Sequence, residues 1–222
     1  LKPFTLFFIG DIDPLSHRYG PNSTQTIERL RDIVAMLEEQ YRRCQQECAD
    51  FSFLMFSDHG HVGVSNRIDL KDLFRDAGES LDDYVFFVDA NYARFWFKND
   101  GERESVEKVL STISDKGFVM KEEHFIKYAV EMPDNRYGDL IFYLDAPNAF
   151  THRAVLFGKE FMHPSKSMHG YLPDNPDCDA VFVSNREVRN DSHLELVDIV
   201  PSILAALDLD VPTHMDGRVL WK

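Results

Sequence analysis

Apolar positions along this chain fall into short runs and a few periodic stretches. Thr5-Leu6-Phe7-Phe8-Ile9-Gly10 and Phe51-Ser52-Phe53-Leu54-Met55-Phe56 are short runs bounded by polar residues, and both read as buried strands of a largely parallel sheet. Between them Asn22-Ser23-Thr24 offers a helix N-cap, and Ile27, Leu30, Ile33, Val34, Leu37, Tyr41, Cys44 and Cys48 recur with helical spacing. That spacing predicts a long amphipathic helix with one buried stripe, ending near Asp50. Strand, loop, helix and strand make a right-handed crossover unit, which brings the C-terminal ends of both strands to one sheet edge.

Beyond residue 61 the pattern changes. Arg67 to Phe74 reads as a short helix or loop. Residues 84–89 and 93–98 are alternating strands around a turn containing Asn91, a hairpin signature. Val106, Val109, Leu110 and Ile113 line one face of a surface helix over 102–113. Phe118-Val119-Met120, a short helix around His124 to Val130, and a strand over 139–144 follow. Hairpin, helix and further strand predict a small α+β subdomain, residues 80–145, inserted into an α/β domain formed by 1–79 and 146–222. The aromatic richness of the hairpin reads as core, with a roof over a substrate as the second reading. Residues 146–179 are irregular and rich in Pro, His, Gly and Asp, and so long a loop in a compact domain is usually functional or mobile. Ala180 to Ser184 reads as another buried strand, Leu196 to Leu207 as an apolar helix with Pro201 near its first turn, and Thr213 to Gly217 as a closing turn.

Composition narrows the classes. With 222 residues, 44% hydrophobic and 28% charged, the chain has the makeup of an ordinary globular protein, and none of its apolar runs approaches the roughly 20 residues that span a membrane. The net charge of −14 argues against a broad nucleic-acid surface, since phosphate contacts need basic patches. A small phosphate ester is not excluded, because bound metal ions can supply local positive charge. Cys44, Cys48 and Cys178 make no disulfide framework and read as free thiols. The chain starts at Leu1 without a visible signal peptide and reads as a piece of something longer, so a targeting signal would lie upstream and the compartment is open.

Candidate chemistry sits where the strands end. Asp58, His59 and His61 follow the 51–56 run, at the carboxyl end where open α/β sheets bind ligands. A divalent metal would satisfy several of these polar groups at once; the plain alternative is a polar loop whose Asp caps the next turn. Asp13 and His17 are four apart, a spacing that puts both on one face of a helical turn, able to grip one ion; the alternative is a solvated loop with an incidental His.

Asp13-x-x-x-His17 with Gly20-Pro21, then Ser57-Asp58-His59-Gly60, then His169-Gly170-Tyr171, in that order, resemble the type I phosphodiesterase/nucleotide pyrophosphatase family of the alkaline phosphatase superfamily. Residues 133–140, 197–204 and 215–218 resemble further segments of that family, so the likeness covers most of the chain as a C-terminal part. It implies an alkaline-phosphatase-like fold, α/β with a mostly parallel sheet flanked by helices, and hydrolysis of phosphate ester or diester bonds with two zinc ions. By the same likeness Asp13, His17 and His169 hold one zinc, and Asp58 and His59 the second. His61 departs from the family, which often has an apolar residue there; it reads as a possible additional ligand or as a side chain facing solvent. The family's Thr, Ser or Cys nucleophile and one more Asp ligand would lie upstream, making the N-terminal half of the same protein a partner of this chain. Ser16 stands where the family has Gly, and Leu172 where it has Asp. Rival readings are a sulfatase, phosphonoacetate hydrolase or phosphomutase of the same superfamily, or a non-enzymatic metal-binding module.

Overall fold

The computed structural model describes residues 4–151, 164–189 and 193–221. Its helices are α1 (Ile12–Tyr19), α2 (Thr24–Glu47), α3 (Leu70–Asp76), α4 (Asp100–Ser111), α5 (Glu122–Lys127) and α6 (Ile199–Ala206). Its strands are β1 (Leu54–Phe56), β2 (Val62–Gly63), β3 (Asn66–Ile68), β4 (Val85–Val88), β5 (Tyr92–Trp96), β6 (Gly117–Val119), β7 (Leu140–Leu144), β8 (Asn148–Phe150), β9 (Ser167–Met168) and β10 (Phe182–Ser184). Of the long irregular stretch expected over 146–179, residues 152–163 lie outside the described residues. The chain divides into two compact units, one of Leu1–Ile12, Ile27–Gly60 and Asp179–Lys222, the other of Asp13–Thr26 and His61–Cys178.

The second unit is built on a four-stranded antiparallel sheet in the order β4-β5-β7-β6. The expected hairpin is present, with Phe86 opposite Phe95 and Phe87 opposite Arg94. Alternation sends Val88, Ala93, Phe95, Leu140, Phe142 and Leu144 to one face, where they join Leu70 and Phe74 of α3 and Val106, Val109 and Leu110 of α4 in one buried cluster. The helix starts two residues earlier than the spacing alone predicts, because Asn99 caps it by accepting the Glu102 N–H at 3.0 Å. The Asp69 carboxylate caps α3 in the same way. Gly117 is dictated by close approach, since a Cβ there would overlap the Tyr143 carbonyl of the neighbouring strand. Around this sheet β3 pairs in parallel with β8, and β2 pairs antiparallel with β9.

The first unit departs from the sequence expectations in three places. Residues 4–10 form no strand, and Leu6, Phe7 and Phe8 are 68%, 74% and 92% exposed. A strand is stable only as part of a ladder, and among the described residues none pairs with this run. The crossover unit expected from it is therefore not formed. The run 51–56 is a strand only over Leu54–Phe56, and it pairs antiparallel with β10, not in parallel. Both strands are half-buried or exposed, because they form a two-stranded ribbon. Helix α2 has its expected N-cap, Ser23 Oγ accepting from Thr26 N at 3.2 Å, but of its apolar stripe Ile33 alone is buried. Tyr41 packs its ring 5.4 Å from both Phe51 and Phe53. At the far end of the chain a 3-10 turn, Leu196–Asp198, leads into α6, where Pro201 is buried near the first turn. Ser202 Oγ accepts from Leu220 N at 2.9 Å and the Trp221 indole donates to Ser202 O at 2.8 Å, so polar contacts bind the last residues to the helix.

Candidate metal centre

The loop residues Asp13 and His17 lie on one helix, α1, and the i,i+4 spacing does what the sequence suggests: His17 Nε2 is 3.3 Å from Asp13 Oδ1. His169 arrives from just beyond β9 and sets its Nε2 3.4 Å from the same oxygen. The donor atoms of Asp13, His17 and His169 all lie within 4.8 Å of one another. The bridge between these remote segments is specific. Ser167, fully buried, donates its hydroxyl to Ser16 O at 2.7 Å, and the Lys166 amide donates to His17 O at 2.6 Å. His17 Nδ1 donates to Ser167 O at 2.8 Å.

That last bond fixes one ring proton: a carbonyl accepts only, so Nδ1 of His17 donates, and Nε2 is the ring atom turned to the Asp13 carboxylate. A proton on Nε2 or a metal cation between the two groups satisfies that approach. The spacing fits as well: for bonds of about 2.0–2.1 Å, the ligand atoms of a tetrahedral zinc lie about 3.3–3.4 Å apart. A backbone carbonyl holding the distal nitrogen of a ligand His is the usual support of such sites. One carboxylate and two imidazoles thus suit zinc or a similar divalent ion.

His61 reaches the same carboxylate, with Nε2 3.0 Å from Asp13 Oδ1 and Nδ1 3.2 Å from Ser167 Oγ. It stands outside the set formed by Asp13, His17 and His169, although its ring centre is 4.9 Å from that of His17 and 5.3 Å from that of His169. Burial, then repulsion from His17, pushes the His61 imidazole down to about 4, against the opposing pull of Asp13. A cavity of about 520 Å³ opens beside it, lined by Tyr19, Asn22, Ser23, Gly63 and Lys166. In the other unit, Asp58 and His59 neighbour each other after β1, with His59 Nε2 3.5 Å from Asp58 Oδ2 and the Asp58 carboxylate accepting from His59 N at 3.1 Å.

The His169 loop is pinned from below. Tyr171 is buried, donates to Asn148 O at 2.7 Å, and has its hydroxyl pushed up to about 12 by burial. Gly170 turns with φ +81°, a backbone conformation that favours glycine, and a Cβ there would come to 3.7 Å from the Asn91 amide. The His-Gly-Tyr order is thus ligand candidate, turn and anchor. Sequence reasoning missed Ser167 and the buried Ser16 as the clasp between the two halves of the cluster. Nothing in the neighbours of either serine marks it for that role.

Comparison with known proteins decides the family. The profile described as "Type I phosphodiesterase / nucleotide pyrophosphatase" matches residues 3–172. The chain belongs to that family. A family relative, venom phosphodiesterase of Naja atra, is 23% identical over 225 residues, covering 90% of this chain and 25% of the relative. Among solved structures, human ectonucleotide pyrophosphatase/phosphodiesterase 5 superposes with a TM-score of 0.72 at 18% identity, covering 93% of this chain and 54% of that one. The murine counterpart, solved as an inactive form in complex with AMP, gives 0.71 at 16% identity, covering 92% of this chain and 54% of that one. The fold is therefore the alkaline-phosphatase-like α/β fold expected from the sequence, and the chain spans about half the length of the solved structures it matches. Among the described residues, no helix is long and apolar enough to cross a membrane.

Proposed function

We propose that this chain supplies the metal-binding part of a zinc-dependent phosphodiesterase or nucleotide pyrophosphatase, acting on phosphate ester or nucleotide-like small molecules. The observation that carries the reading is the convergence of Asp13, His17 and His169, with a hydrogen bond between residues 150 positions apart holding the ring of His17. These three are the proposed ligands of one ion. Asp58 and His59 are proposed for a second, and His61 for an additional donor or a brace of the Asp13 carboxylate. Residues 80–145 are read as a subdomain inserted into the metal-binding domain of 1–79 and 146–222. The nucleophile is proposed to come from residues preceding this chain in a longer protein, which fits the greater length of the matched structures.

Bound zinc would supply a Lewis acid for the phosphoryl oxygens and a clamp for the attacking and leaving oxygens. This chain's own part is to hold the ligands ready. Ser167 fixes the proton of His17 on Nδ1, so Nε2 is free to bind without a tautomer change. Tyr171 and Gly170 fix where His169 points. The cavity beside His61, with Lys166 and Asp177 both on its wall, leaves room for a small ligand.

The test is zinc titration of residues 1–222 by calorimetry, alongside hydrolysis of bis-p-nitrophenyl phosphate. One tighter binding event is expected, weakened about 10-fold to 100-fold or more in His17→Ala. The chain alone should turn over little, since positioning a nucleophile is worth about 7–11 kcal/mol. Activity should appear when the preceding segment is restored and vanish again with His17→Ala or Asp58→Asn. Vigorous hydrolysis by residues 1–222 that survives His17→Ala would place the chemistry elsewhere and defeat the reading.

A further inference from the structure

Asn22-Ser23-Thr24 stands between α1 and the body of α2, and the structure divides the work of the three residues. Ser23 does the capping. Its Oγ accepts from Thr26 N at 3.2 Å and lies 2.9 Å from Thr26 Oγ1, which donates in turn to Gly20 O at 2.9 Å. The Ser23 amide also donates to Gly20 O at 3.2 Å, closing a turn over residues 20–23 with Asn22 at its third position. Asn22 and Thr24 take no part in this network. Both are exposed, and among the described residues neither side chain has a hydrogen-bond partner.

Asn, Ser and Thr ahead of a helix are ordinarily explained as caps. Here Ser23 alone fills that role, and no described contact requires an Asn at 22 or a Thr at 24. An Asn followed two places on by Ser or Thr, with a residue other than Pro between them, is also the acceptor pattern for an N-linked glycan. The pattern alone is weak, because a buried or bonded Asn cannot carry a sugar in the folded chain; the geometry has to permit it. It does so at this turn. The Asn22 amide stands in solvent, and Thr24, the first residue of α2, keeps its hydroxyl uncommitted. Asn22 also lies on the wall of the cavity of about 520 Å³ beside His61, so a sugar there would stand on the approach to that cavity.

We infer that Asn22 is an acceptor for an N-linked glycan. In the transfer, the side-chain nitrogen of Asn22 forms a bond to C1 of an oligosaccharide carried on a lipid diphosphate. The bond from C1 to the diphosphate oxygen breaks, the lipid diphosphate leaves with the electron pair, and the amide nitrogen gives up one proton. The Thr24 hydroxyl is the group the transferring enzyme reads, and Ser23 is left to hold the helix. The inference stands apart from the metal reading, since neither Asn22 nor Thr24 is a proposed ligand.

The experiment expresses the chain of 222 residues behind a cleavable secretion leader in a eukaryotic host, which delivers it to the compartment holding such donors. Asn190-Asp191-Ser192, the other triplet of this pattern in the sequence, is removed by Asn190→Gln so that one site is read. The secreted chain is digested with peptide-N-glycosidase in ¹⁸O-labelled water and mapped by mass spectrometry. Label at residue 22 and a fall in intact mass on digestion are expected. Asn22→Gln and Thr24→Ala should each lose the glycan, and Thr24→Ser should keep it. Ser23→Ala should keep the glycan while the start of α2 frays, read as faster amide exchange at Thr26. A thermal melt of Thr24→Ala that matches the enzymatically deglycosylated parent shows that the fold is intact. An unmodified Asn22 in the parent chain, or a glycan that persists at residue 22 in Thr24→Ala, overturns the inference. Zinc titration of the same secreted chain reports on the metal reading separately, so the two failures are told apart.

Discussion

Residues 4–10 and residues 140–144 are both short apolar runs, and the two ended in opposite states. Leu140 to Leu144 is a central strand, paired on both sides, with Leu140, Phe142 and Leu144 each 2% exposed. Leu6 to Phe8 has an equally apolar composition and lies open, with Phe8 92% exposed. Composition nominates a strand, but partners make one. In the second unit the partners are local: β4, β5, β6 and β7 fall within residues 85–144. The first unit draws on segments far apart in the chain, and among the described residues it offers the run at 4–10 no strand to pair with.

This contrast can be broken by mutation. The largest effect is expected from Phe95→Ala, which empties the centre of the buried cluster where Phe95 stacks 5.9 Å from Phe74. A loss of about 3–5 kcal/mol is expected, read as a fall of roughly 10 °C or more in the melting temperature. A loss below about 1 kcal/mol would mean that the sheet does not depend on this core. Next comes Ser202→Ala in the first unit. It leaves the buried Leu220 N–H without its acceptor and should cost about 1–3 kcal/mol in denaturant titration. An unchanged midpoint would show that the C-terminal residues are not fastened there. A smaller effect, about 1 kcal/mol, is expected from Asn99→Ala, with fraying of α4 seen as faster amide exchange at Glu102. The smallest is Phe8→Ser. Since nothing described covers this ring, stability should change by no more than about 0.5 kcal/mol, while the chain's tendency to self-associate falls. A marked destabilisation would show that Phe8 is packed in solution and would erase the comparison.

Much of the second unit was legible in the sequence because its contacts are short-range. The hairpin, α4 with Val106, Val109, Leu110 and Ile113, and β7 all stand close to where periodicity put them. The first unit was not legible by the same reasoning. Periodicity in α2 says which residues share a face, and it does not say that a neighbour will cover them; Ile27, Leu30 and Val34 remain 37%, 48% and 42% exposed. The antiparallel sense of β1 with β10 was hidden too, because strand direction is decided by a partner about 130 residues away. For the site, spacing pointed to Asp13 with His17 and the family resemblance added His169, and the three do come together. What could not be read was Ser167, since a clasp made of one hydroxyl and one carbonyl leaves no compositional trace.

The distribution of the proposed metal ligands along the chain also has a kinetic consequence. Asp13 and His17 share α1, so any transient helical turn presents two donors before the rest of the chain has folded. His169 joins them only when a loop of some 150 residues closes and β9 meets the last turn of α1 through Ser167. If the three residues bind an ion as proposed, an ion present during refolding would meet a weak two-donor handle early and the full set of proposed ligands late. Zinc captured by the handle would have its grip tightened by the closing chain, and the release of that ion after global unfolding should be governed by the reopening of the β9 contact and not by the helix.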